Sequence, residues 1–91
     1  MKISFKKTFL KRFDRLEAPE QERVVQALQE IKNYLSKGKA PYGLRVKKLG
    51  AQTYEGRVSD ALRIVWIRFK EEIIFALLGN HEEVRRFLKN S

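Results

Sequence analysis

Ninety-one residues, 43% hydrophobic with ten aromatic side chains, suffice for one small core and leave no room for a second domain, so residues 1–91 are read as a single domain. Lys+Arg 20 against Asp+Glu 11 gives a net charge of +9, which favours a polyanionic partner. With no cysteine there is neither a disulfide nor a thiolate metal site, and no apolar run approaches the roughly 18 residues of a membrane span, so a cytoplasmic protein is expected, with no membrane partner.

Lys2 to Phe5 alternates polar and apolar residues and predicts a short first strand. From Thr8 the spacing becomes helical: Phe9, Phe13 and Leu16 recur on one side, with Lys11, Arg12, Asp14 and Arg15 between them. Pro19 interrupts this helix and suits the first turn of a second, where its missing N–H has no intrahelical partner to lose. Val24, Leu28, Ile31 and Leu35 give the second helix its buried stripe, and Gly38 is its stop signal.

Pro41 and Gly43 mark a loop, followed by strands expected near residues 44–49, 54–58, 62–69 and 73–78 of an antiparallel sheet. The run Ile73 to Leu78 is apolar on both alternating faces and belongs at a central position, shielded on both sides. Asn80 is a good N-cap and Glu83, three residues on, completes a capping-box pattern for a last short helix carrying Val84, Phe87 and Leu88. The fold class is therefore α+β: a short N-terminal strand and helical hairpin packed on a four-stranded antiparallel sheet, with a short C-terminal helix.

The cations are unevenly placed. Between Glu30 and Glu55 lie Lys32, Lys37, Lys39, Arg45, Lys47 and Lys48 with no acidic residue among them. Period two sets Arg63 on the face of Val65, Ile67 and Phe69, and puts Glu55 and Arg57 together on one face of the preceding strand. One reading is structural, with Arg63 held by Asp60 or Glu55 and Arg57 in an edge ion pair with Glu55. The other is functional: guanidinium forks aimed at phosphate, converging with Lys47 and Lys48 from three consecutive strands.

His81, the single histidine, opens the last helix and is the best proton-transfer residue in the chain. One histidine and no cysteine offer no metal-ligand spacing, so no metal and no small-molecule cofactor is expected. Tyr42, beside the basic window, and Phe87, beyond His81, are the aromatics placed to stack on bases.

Gly43-Leu44-Arg45-Val46-Lys47-Lys48-Leu49-Gly50, then Tyr54-Glu55-Gly56-Arg57-Val58-Ser59 leading to Leu62-Arg63-Ile64-Val65-Trp66, and Leu77-Leu78-Gly79-Asn80-His81-Glu82-Glu83, in this order, resemble the RelE/ParE superfamily of toxins over nearly the whole chain. The resemblance implies a RelE-like fold and, on the RelE side, a ribosome-dependent mRNA endoribonuclease neutralised by a cognate antitoxin. It carries function onto Lys47, Lys48, Arg57, Arg63 and His81. Phe87 stands where many relatives carry a tyrosine, and the basic segment lacks the glutamate that some relatives have, Glu55 being the nearest. A ParE-like inhibitor of DNA gyrase and a non-catalytic basic nucleic-acid-binding module are the alternatives.

Overall fold

The computed structural model describes residues 2–39 and 42–90, the side chain of Tyr42 excepted. In chain order come β1 (Lys2–Phe5), α1 (Lys7–Arg15), α2 (Ala18–Lys37), a 3-10 turn (Tyr42–Leu44), β2 (Lys47–Lys48), β3 (Thr53–Arg57), β4 (Arg63–Phe69), β5 (Glu72–Gly79) and α3 (His81–Lys89). One sheet has the order β1-β5-β4-β3-β2.

The four expected strands pair antiparallel, and β1 adds a fifth, parallel to β5, with Lys2 opposite Glu72 and Phe5 opposite Phe75. The sheet is therefore mixed, a pairing that four residues of alternation do not encode. β2 is shorter than expected because the preceding residues leave the extended region: Leu44 closes the 3-10 turn with its side chain buried, and Arg45 adopts a positive φ of 46°.

The helices form where their signals lie. Pro19 occupies the first turn of α2, and Gly38 ends it at φ 78°, its N–H donating to the Tyr34 carbonyl at 2.7 Å. Such a left-handed terminus suits glycine, which has no Cβ to clash there. Val24, Ala27 and Ile31 of α2 and Phe9 of α1 are buried against Ile64 and Trp66 of β4, Ile73, Phe75 and Leu78 of β5, and Leu44. Leu28 and Leu35 complete the stripe, partly buried.

A bulge sets the phase of the sheet. Val65 lies opposite Leu77 but Trp66 lies opposite Phe75, so Ala76 has no partner on β4. Phe75 and Leu78, three residues apart, consequently both join the core under the helices. Val65, on the opposite face, is also fully buried, and α3 lies against β4 and β5 with Val84 buried. Both faces of the β4–β5 ladder are thus shielded.

Gly56 lets α2 and Trp66 approach β3. A Cβ there would stand 3.1 Å from Trp66 Cζ3 and 3.3 Å from Leu44 Cδ1, and both neighbours are buried with no room to retreat. Gly56→Ala is expected to cost about 1–3 kcal/mol of stability through overpacking, measured by urea unfolding with the slope unchanged.

Candidate functional site

The face of the sheet turned away from α1 and α2 carries the charges. Register places Lys47 opposite Glu55 and Glu55 opposite Val65; one step along, Arg57 lies opposite Arg63 and Arg63 opposite Gly79. Directly opposed residues of an antiparallel pair share a face, so Lys47, Glu55, Arg57 and Arg63 project to the same side. Two arginines facing each other across a ladder repel, a local cost with no return in packing.

These four residues, with Arg45 and His81, line one concavity of about 260 Å³. Arg45 reaches it from the left-handed backbone conformation at φ 46°, one that costs an ordinary L-residue about 1 kcal/mol or more. His81 reaches it as the first residue of α3, whose start is fixed by the expected capping box. Asn80 Oδ1 accepts from the Glu83 N–H at 2.8 Å, and Glu83 Oε1 accepts from the Asn80 N–H at 2.9 Å. The backbone N–H groups at this helix start add to the positive potential of the four cations.

Glu55 is the one acid on this lining and is only 7% exposed. Its carboxylate has no hydrogen bond or ion pair among the described residues. Arg63 is half-buried, and its Nε is fully enclosed without a hydrogen-bond partner. Arg57, expected to pair with Glu55, is instead bonded to Asp60 in the β3–β4 turn, which is otherwise 92% exposed. Neither structural role foreseen for Arg63, a bond to Asp60 or to Glu55, is therefore present. Buried polar groups are ordinarily satisfied, so an enclosed guanidinium nitrogen and an unengaged carboxylate on one lining make this concavity the candidate site.

Two of the other expected site residues, Lys48 and Phe87, stand apart. Lys48 pairs with Tyr54, which pairs with Trp66, so it belongs to the opposite face from Lys47 and does not line the concavity. Phe87 is half-buried on α3 and is not among the lining residues. The Tyr42 side chain lies outside the described residues. A neighbouring concavity of about 290 Å³ shares Arg57 and is lined also by Arg23, Gln26 and Glu30, without a histidine. Among the described residues no group of three or more His, Cys, Asp or Glu side chains is arranged to hold a metal ion, and no helix is long and apolar enough to cross a membrane.

Sequence reading missed Arg12, whose Nη1 lies 2.9 and 2.7 Å from the two oxygens of Glu83. The two residues are 71 positions apart, so no local pattern announces the pair. The Asn80 N–H and then Arg12 hold the Glu83 carboxyl below its ordinary value of 4.5. A depressed folded-state value means that this contribution to stability is fully present above pH 4.5 and is lost as pH falls through the lower, folded value. Both side chains are about one-third exposed, so screening limits the pair and the cap together to about 1 kcal/mol. Glu83→Gln is expected to flatten the acid limb of stability against pH by that amount, measured by urea unfolding between pH 3 and 7.

Neither a protein-family model nor a curated protein sequence matches the chain. Solved structures do. A YoeB/ParE toxin from Agrobacterium tumefaciens superposes with a TM-score of 0.70 at 17% identity, covering 89% of this chain and 99% of that one. A copper-bound mutant toxin from Helicobacter pylori gives 0.69 at 22% identity, covering 92% and 98%. The RelE toxin in the RelB-RelE complex of Methanococcus jannaschii gives 0.64 at 20% identity, covering 91% and 95%. The chain has the RelE-like fold. Its structural neighbours are RelE, ParE and YafQ toxins of toxin-antitoxin systems, and several were solved with their antitoxins bound. In this RelE-like chain the concavity sits on the sheet face turned away from α1 and α2, between the β2–β3 edge and the start of α3.

Proposed function

We propose that this chain is the toxin of a toxin-antitoxin pair and that it cleaves mRNA engaged by the ribosome, without a metal, by attack of a 2′-hydroxyl on the adjacent phosphodiester. The observation that carries the reading is the meeting of Arg45, Lys47, Arg57 and Arg63 with an unengaged Glu55 and with His81 in one concavity.

Each group has a task that its chemistry suits. The 2′-oxygen bonds to phosphorus as the P–O5′ bond breaks, leaving a 2′,3′-cyclic phosphate and a 5′-hydroxyl. Glu55, a carboxylate with vacant acceptor positions, takes the 2′-OH proton, and His81 delivers a proton to the departing 5′-oxygen. Arg63 and Arg57 meet the charge that grows on the non-bridging oxygens, Arg63 with donors that no protein group already occupies. Arg45 and Lys47 hold the flanking backbone. The ribosome orients the nucleotide for in-line attack, which relieves a small and open site of most of the substrate binding.

Cytoplasmic action and neutralisation by a cognate antitoxin follow from the same reading. Purified protein added to a translation reaction, with primer extension on the mRNA and a parallel gyrase supercoiling assay, tests it. Codon-linked cuts that appear only with ribosomes support the reading. Gyrase inhibition with intact mRNA replaces it with the ParE-like one.

A further inference from the structure

Arg12 and Glu83 lie outside the concavity, yet their geometry bears on what happens inside it. Glu83 Oε1 accepts two bonds at once, one from the Asn80 N–H and one from Arg12 Nη1, each at 2.9 Å. Asn80 immediately precedes His81, and Glu83 follows it by two residues. The two capping bonds therefore close a ring around the His81 backbone, and Arg12 ties that ring to α1.

The tie is stiff at its other end. Lys6 N–H donates to the Phe75 carbonyl at 2.9 Å, Thr8 Oγ1 donates to the Ala76 carbonyl at 3.1 Å, and Phe9 is fully buried, so α1 is fixed on β5. Gly79 permits the close fit: a Cβ there would stand 3.0 Å from Glu83 Cβ and 3.1 Å from Glu83 Oε1. β5, α1 and α3 thus converge on the two residues that flank His81. The charged groups facing Glu83 are Arg12, Lys11 and Arg15 from α1, which line one concavity with it, and Arg86 from its own helix. Those facing His81 across the concavity are Arg45, Lys47, Glu55, Arg57 and Arg63.

We propose that Arg12 is a positioning residue that acts through Glu83 to hold His81 over the concavity. An ordinary half-exposed ion pair contributes little to stability. This one shares its acceptor oxygen with the cap of the helix that begins at His81, so its loss frees the backbone at that residue. The positional claim stands on these contacts; only its catalytic consequence rests on the ribonuclease reading.

The test uses Arg12→Met, which keeps the packing of the stem, and Arg12→Lys as the conservative variant, at a temperature where circular dichroism shows every variant fully folded. In the free protein, the His81 backbone order parameter is expected to fall from about 0.85 to below about 0.6 in Arg12→Met while that of Val84 holds, with partial recovery in Arg12→Lys. Unchanged His81 order parameters overturn the proposal, whatever the protein does to RNA. In single-turnover cleavage of saturating ribosome complexes, Arg12→Met is expected to lower the rate about 10- to 100-fold with half-saturation unchanged, and to cost nothing further in a His81→Ala background. An equal loss in that background also overturns it. A wild-type chain that cuts no mRNA defeats the ribonuclease reading alone, and the order parameters still decide the positioning.

Discussion

Replacing Arg63 with alanine is expected to reduce mRNA cleavage by about 10²- to 10³-fold while leaving the fold as stable as before or slightly more so. The two halves of this expectation have one cause. Arg63 keeps its Nε enclosed without a partner and faces Arg57 directly across the β3–β4 ladder, so it brings desolvation and repulsion to the folded state and no compensating bond. In the proposed mechanism those same unengaged donors are the ones that meet the phosphate. Arg63→Lys should recover little, because a single ammonium does not reproduce the planar fork. Single-turnover primer extension reads the first half, and urea unfolding reads the second. Retained cleavage together with a stability loss above about 1 kcal/mol would assign Arg63 a structural role instead.

The largest effect on folding is expected at Trp66. Its side chain is fully buried, stacked on Tyr54 with ring centroids 6.0 Å apart and tilted against Phe75 at 6.5 Å. It also forms the wall that Gly56 meets on β3. Trp66→Ala should cost about 3–5 kcal/mol, a large share of the roughly 5–15 kcal/mol that a domain commands, and should leave little folded protein at 37 °C. Trp66→Phe is the informative companion. The indole Nε1 is enclosed with no hydrogen-bond partner among the described residues, so phenylalanine removes an unsatisfied donor as well as volume. A loss for Trp66→Phe well below that for Trp66→Ala, measured by urea unfolding with matched slopes, is the expected outcome.

Much of this was legible in the chain itself. The Val24–Ile31 stripe, the Pro19 entry, the Gly38 stop and the Asn80–Glu83 cap are local signals, and each acts within a few residues, where sequence and geometry are nearly the same thing. Strand alternation likewise placed Glu55 with Arg57 and Arg63 with Val65. What escaped depends on contacts between distant segments. The parallel docking of β1 on β5 and the Arg12–Glu83 pair have no local signature. The unpaired Ala76 shifts the phase of β5 by one residue, so that Phe75 and Leu78 share the core where strict alternation would separate them. Lys48 shows the converse error. Adjacent strand residues point to opposite faces, and charge similarity with Lys47 was a weaker guide than that alternation.

Arg45 combines an unusual backbone conformation with a place on the concavity. Its positive φ delays the start of the extended run, leaving β2 only Lys47–Lys48, and Arg45 lines the concavity with Lys47. Strain of this kind persists where the surrounding structure fixes it, and it recurs at sites that bind or react.

Attack by a 2′-hydroxyl in the concavity is tested most directly by cleavage of an mRNA carrying a single 2′-deoxynucleotide immediately 5′ of the cut. Ribosome-bound transcripts with this one substitution should resist the protein completely, while the all-ribose transcript yields fragments ending in a 2′,3′-cyclic phosphate and beginning with a 5′-hydroxyl. Cutting of the deoxy-substituted transcript at the same site and at a comparable rate would contradict it.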